Sequence, residues 1–128
     1  MSDKEHAEEI LQAARRDLRA LRAMNDPHAF ADEIFGFHAQ QSVEKALKAW
    51  LAFLGIQFPR THDLKKLADL LREAGASVGG VDAFIDLNAF AVQYRYESLY
   101  VNEEELDRAD LADQVDRLIQ QVAGAITR

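Results

Sequence analysis

A chain of 128 residues, 48% of them hydrophobic, is long enough for one domain with a real core and too short for two. The absence of cysteine excludes a disulfide framework, thiolate chemistry and a cysteine-based zinc site. Lys and Arg number 15 against 22 Asp and Glu, a net charge of −7 that argues against broad attraction to nucleic acid and leaves only a local basic site open.

Taken in order, residues 3–24 read as a first helix with a core stripe of Ile10, Ala14, Leu18 and Leu21. Acidic Asp3, Glu5, Glu8 and Glu9 crowd its start, and Arg15, Arg16, Arg19 and Arg22 its second half, as the helix dipole favours. Those arginines form either a solvated stripe or a phosphate-facing patch. Asn25-Asp26-Pro27 breaks the chain, with Asp26 suited to cap and Pro27 to open a second helix over residues 27–54 that stops at Gly55. Thr61 is placed to cap a third helix through Leu64, Leu67, Leu70 and Leu71, closed by Gly75.

Beyond the connector Ser77-Val78-Gly79-Gly80, residues 81–96 carry Phe84, Ile85, Leu87, Ala91 and Tyr94 at helical spacings and predict a fourth helix. Residues 96–102 are expected to form a loop that packs its aromatics inward. A fifth helix follows an acidic start at Glu103, Glu104, Glu105 and Asp107, with Leu111, Val115, Leu118, Ile119, Val122 and Ile126 as its core face. The fold class is therefore all-α: an antiparallel up-and-down bundle of about five helices around a four-helix core, forming one domain over residues 1–128. No apolar run reaches the roughly 18 residues of a membrane span. The start lacks the basic-then-apolar order of a signal peptide, so a cytoplasmic protein is expected.

The second helix is the most informative element. Val43, Ala46, Leu47, Trp50 and Leu54 gather on one side, while His38, Gln41, Lys45 and Lys48 recur at i, i+3, i+7 and i+10 on the other. Phe30, Ile34 and Phe37 point roughly the same way as that polar stripe, so part of the helix is apolar on two sides. A second subunit or a late element of the chain must cover the second side, and a homodimer is expected.

Three motifs then carry a resemblance. Phe37-His38-Ala39-Gln40-Gln41-Ser42-Val43-Glu44-Lys45-Ala46-Leu47-Lys48-Ala49, followed by Arg60-Thr61-His62-Asp63-Leu64 and later by Tyr94-Arg95-Tyr96, resembles the HEPN family, whose name abbreviates "higher eukaryotes and prokaryotes nucleotide-binding". The resemblance spans nearly the whole chain. It implies a helical bundle, frequent homodimers, an association with nucleotides or RNA, and pairing with a small nucleotidyltransferase in a two-component or toxin–antitoxin system. Catalytic members of the family carry a late arginine followed a few residues on by a histidine. Here Arg95 is followed by Tyr96-Glu97-Ser98-Leu99-Tyr100-Val101-Asn102, with no histidine. A tyrosine, with its ordinary pKa of about 10, shuttles protons poorly near neutrality compared with an imidazole at about 6.5. Arg22 and His28 match the spacing literally, but across a chain break that contains Pro27.

The polar residues have two readings. In the functional one Lys45 and Lys48 neutralise phosphate, Arg95 grips it with a planar fork, and His62 with Asp63 contacts a base, sugar or phosphate at a helix start. His38, Gln41, Glu44 and Tyr96 support them. In the structural one Glu44, Lys45, His62, Asp63 and Arg95 form a network tying the second, third and fourth helices together. No paired Glu-x-x-His motifs or phosphate-binding glycine loop is found, so neither a metal nor another cofactor is expected. The function expected is a nucleotide- or RNA-binding domain, non-catalytic, acting with a nucleotidyltransferase. The alternatives are a dimeric interaction module without ligand and a divergent ribonuclease.

Overall fold

The computed structural model describes residues 3–80, 84–88 and 107–127. Among these residues the chain forms four helices and no strand: α1 (Asp3–Ala23), α2 (Asp32–Phe53), α3 (Leu64–Glu73) and α4 (Arg108–Ile126). The expectation of about five helices is one more than these. The helix expected at residues 81–96 falls mostly outside the described residues, and the aromatic segment 96–102 wholly so. Phe84 and Leu87, which are described, are buried in the core.

The bundle is built around α2, which packs against α1, α3 and α4, while α1 and α4 also touch each other. In α1 the buried positions are Ala7, Leu11, Ala14, Leu18 and Leu21. Their alternating four- and three-residue steps are the seam of helices lying nearly parallel or antiparallel. Leu11 therefore belongs to the core and Ile10, expected there, sits only partly buried at its edge. In α4 the steps from Arg108 through Ala112, Val115, Ile119, Val122 and Ile126 repeat the same rhythm. Leu111 is displaced to the margin.

Small residues let α1 and α2 approach closely. Ala14 faces a helix carrying Ala39, Ala46 and Ala49, all fully buried. At this contact the Ser42 hydroxyl donates to the Ala14 carbonyl at 2.8 Å.

The helix boundaries differ from the sequence reading in two places, each for a local reason. Asp26 and Pro27 open a turn rather than α2: the Asp26 carboxylate accepts from the His28 amide at 2.8 Å and its carbonyl from the Ala29 and Phe30 amides. The helix begins five residues later, at Asp32, with no side-chain cap. At α3 the cap is Asp63, whose carboxylate accepts from the Lys65 amide, while the Thr61 hydroxyl accepts from the Asp63 amide one step earlier. Gly55 and Gly75 end α2 and α3 at φ +71 and +86, the left-handed conformation in which a side chain would be strained. Leu54, expected in the core stripe, turns outward at 41% exposure.

Arg108 explains how the start of α2 is held without a cap. The side chain is only 7% exposed. Its guanidinium donates to the Met24 carbonyl at 2.8 Å, the Phe30 carbonyl at 2.7 Å and the Asp32 carboxylate at 2.9 Å. It also lies over the Phe35 ring at 4.9 Å. Phe30 is not part of α2, and it and Ile34 pack against the core of their own chain. Part of the second apolar face is thus covered within the chain itself.

Arg108→Ala should destabilise the fold by about 3 kcal/mol, because two backbone carbonyls lose a charged donor while the half-exposed Asp32 can rehydrate. Arg108→Lys, which cannot fork, should lose roughly half as much. Urea titration reads both as a lower midpoint with an unchanged slope.

Candidate functional site

The polar residues of α2 sit on a helix enclosed by others, so each needs a partner from a neighbouring element. The stripe drawn from the sequence separates into two groups. His38 and Lys45, seven residues apart, turn toward α1. Gln41 and Lys48 turn with Gln40 and Glu44 toward the start of α3.

On the α1 side the Lys45 ammonium donates to one oxygen of Asp17 at 2.6 Å. The other Asp17 oxygen stands 3.6 Å from His38 Nδ1, beyond hydrogen-bond length, and that buried nitrogen has no hydrogen-bond partner among the described residues. The His38 ring is set edge-to-face against Phe37 at 5.7 Å. Asp17 is 15% exposed and Lys45 and His38 33% each, so the three sit partly buried at the edge of the α1–α2 contact rather than in the interior.

On the α3 side Glu44 is the centre. Its carboxylate is 6% exposed. One oxygen accepts from His62 Nδ1 at 2.6 Å and from the Gln40 amide at 3.2 Å. The other accepts from the Lys48 ammonium at 3.2 Å. The Gln40 amide also donates to the His62 carbonyl at 2.9 Å, and Gln41 donates to Gln40 Oε1 at 2.7 Å. Lys48 lies over the Phe58 ring at 5.8 Å.

The loop that delivers His62 is itself pinned. Asp63 caps α3, and Asn88 accepts from the Leu64 amide at 2.9 Å while donating to the Asp63 carboxylate at 3.1 Å. One oxygen of Asp63 is thus occupied in holding the helix start. Arg95 and Tyr96 lie outside the described residues. Arg22 is engaged elsewhere: Asp113 at 3.1 Å and Asp116 at 3.0 Å bind its guanidinium, the hydrogen bond it donates to Asp113 being the main reason its pKa is raised. Among the described residues no contact joins Arg22 to His28.

Sequence reasoning missed Asp17, Gln40 and Asn88. Asp17 is the single acid between Arg15 and Arg22, and a lone carboxylate beside a core stripe signals a partner on another helix. Gln40, Glu44 and Lys48 are spaced one turn apart, which places them in one ladder. Asn88 left no readable signal, because its role depends on where residues 84–88 dock.

Chemically, the two lysines are matched one for one by Asp17 and Glu44. An anion must therefore compete with a carboxylate for each, which permits modest binding only. Among the described residues no group of acidic and histidine side chains is arranged to hold a metal ion, and no helix is long and apolar enough to cross a membrane. Compared with known proteins, residues 4–124 match the model of the HEPN domain. No curated protein and no solved structure matches the chain.

Glu44→Ala should cost about 2–4 kcal/mol, since it takes one of two acceptors from the fully buried Gln40 amide and removes the partner of Lys48. Lys65→Ala, which breaks the exposed pair with Asp69, should cost under about 0.5 kcal/mol. Chemical denaturation of the two variants beside the parent checks the contrast.

Proposed function

Because the chain belongs to the HEPN domain family, whose members have nucleotide- or RNA-related functions, we propose that it binds nucleotide or RNA through the polar face of α2. In this reading it does not cleave its ligand and acts with a nucleotidyltransferase partner in a two-component or toxin–antitoxin-type system. The observation that carries the reading is the placing of Lys45 and Lys48 on adjacent turns, partly exposed, with His62 brought from another element onto Glu44, the partner of Lys48. A phosphate takes the place of Asp17 as acceptor for Lys45 and shares Lys48 with Glu44. Arg95, as a third cation from late in the chain, adds a planar fork. The late arginine has no histidine after it in residues 96–102, which supports binding without cleavage. The existing pairing of both lysines favours a second reading, a protein-interaction module that takes no ligand.

The expected binding is weak and falls with added salt, because cation–phosphate contacts are screened and release counterions. Titration of short RNAs and nucleotides at low and high salt should show this, with affinity lost in Lys45→Ala/Lys48→Ala and in Arg95→Ala. New RNA ends, abolished by Arg95→Ala, would instead establish the divergent ribonuclease. Absence of binding to any ligand would favour the interaction module.

We also propose a homodimer that buries what the chain's own elements leave of the Ile34–Phe37 face. Sedimentation at micromolar concentration should give twice the chain mass.

A further inference from the structure

A carboxylate buried to the extent of Glu44 loses several kcal/mol of hydration, and its surroundings show how that loss is offset. Lys48 satisfies one oxygen. The other is shared by Gln40 and His62, and Gln40 reaches past it to hold the carbonyl of His62 as well. His62 is thereby fixed twice, by its ring and by its backbone, although its side chain is 58% exposed. A loop imidazole open to water would ordinarily sample several rotamers. This one is locked by an interior ladder and aimed outward.

The lock also sets the chemistry of the exposed nitrogen. A carboxylate only accepts hydrogen bonds, so Nδ1 carries the proton that Glu44 receives. In the neutral ring Nε2 then has a lone pair and no hydrogen, and it is a hydrogen-bond acceptor. An acceptor does not bind phosphate oxygens, which are acceptors themselves. It binds a hydroxyl or an N–H. Beside it stands Lys48, hung from the other oxygen of the same carboxylate, which is a donor and a cation. One carboxylate thus presents a cation for a phosphate and, next to it, an acceptor for a neighbouring donor group. In a ribonucleotide chain the phosphate and the ribose 2′-hydroxyl stand in that relation, and the 2′-hydroxyl is the donor that separates RNA from DNA.

We propose that His62, oriented by Glu44, is the residue that reads the ribose 2′-hydroxyl, and that the ligand of the α2 face is RNA. The proposal rests on the binding function above and narrows the role of His62 within it, from a contact to base, sugar or phosphate to an acceptor for a sugar hydroxyl.

The test uses three oligoadenylates of equal length: ribose, 2′-deoxy and 2′-fluoro. The 2′-fluoro polymer keeps the RNA-like sugar pucker and lacks the donor. In mildly alkaline low-salt buffer the ribose polymer should bind on the order of fivefold more tightly than the other two, the worth of one hydrogen bond. His62→Ala should abolish the preference, so that the three polymers bind with equal affinity. His62→Gln, which can donate to Glu44 and still present an oxygen, should restore part of the preference. Long-range ¹⁵N–¹H spectra of the free protein should show the His62 proton on Nδ1. Equal binding of all three polymers, an equal loss for all three in His62→Ala, or a proton on Nε2 would overturn the proposal and leave the binding function standing. Failure of every polymer to bind would overturn both.

Discussion

A helix enclosed by three others cannot leave a charge unmatched, and α2 carries Glu44, Lys45 and Lys48 in its middle. That constraint orders much of what surrounds it. Glu44 draws in the ring of His62, and with it the loop that begins α3. Lys45 draws in Asp17 and ties α1 to α2 through a charge as well as through the alanine contact. Gln40, fully buried, finds acceptors in both Glu44 and the His62 carbonyl. The polar core is small, closed within a few residues, and placed where three elements meet.

The same constraint bears on function. A cation reserved for a ligand is ordinarily left free in a groove, whereas Lys45 and Lys48 are each already neutralised. Their carboxylate partners stabilise the unliganded fold and oppose binding at once. Under the proposed function, the net charge of −7 and this local competition would both hold the affinity for a nucleic acid down. What remains open to a ligand on the α3 side is chiefly the ring of His62, positioned by the interior and exposed at its outer edge.

At the opposite end of α2 a second buried charge performs a different task. Arg108 closes the turn between α1 and α2 by binding two of its carbonyls, and supplies through Asp32 the anchoring that the uncapped helix start lacks. A guanidinium suits this because its donors diverge in a plane, reaching three acceptors from one side chain while its face rests on Phe35. The last helix is thereby fastened to the first connection in the chain. Arg108 serves folding, and the α2 ladder serves the site as well.

The sequence by itself determined the helical class, the elements at both ends, the glycine stops at Gly55 and Gly75, and the family motifs. These rest on periodicity and on backbone preferences that act within a few residues. It also placed Glu44 and His62 in one constellation, because a helix turn and a motif order suffice for that. Tertiary structure decided the rest. Whether Ile10 or Leu11 faces the core depends on the neighbour that α1 meets, as does the outward turn of Leu54. The division of the polar stripe between Asp17 and Glu44, the capture of Asp63 by Asn88, and the burial of Arg108 join residues far apart in the chain. Local pattern carries no record of such pairings, since a buried charge selects its partner by proximity in the folded molecule.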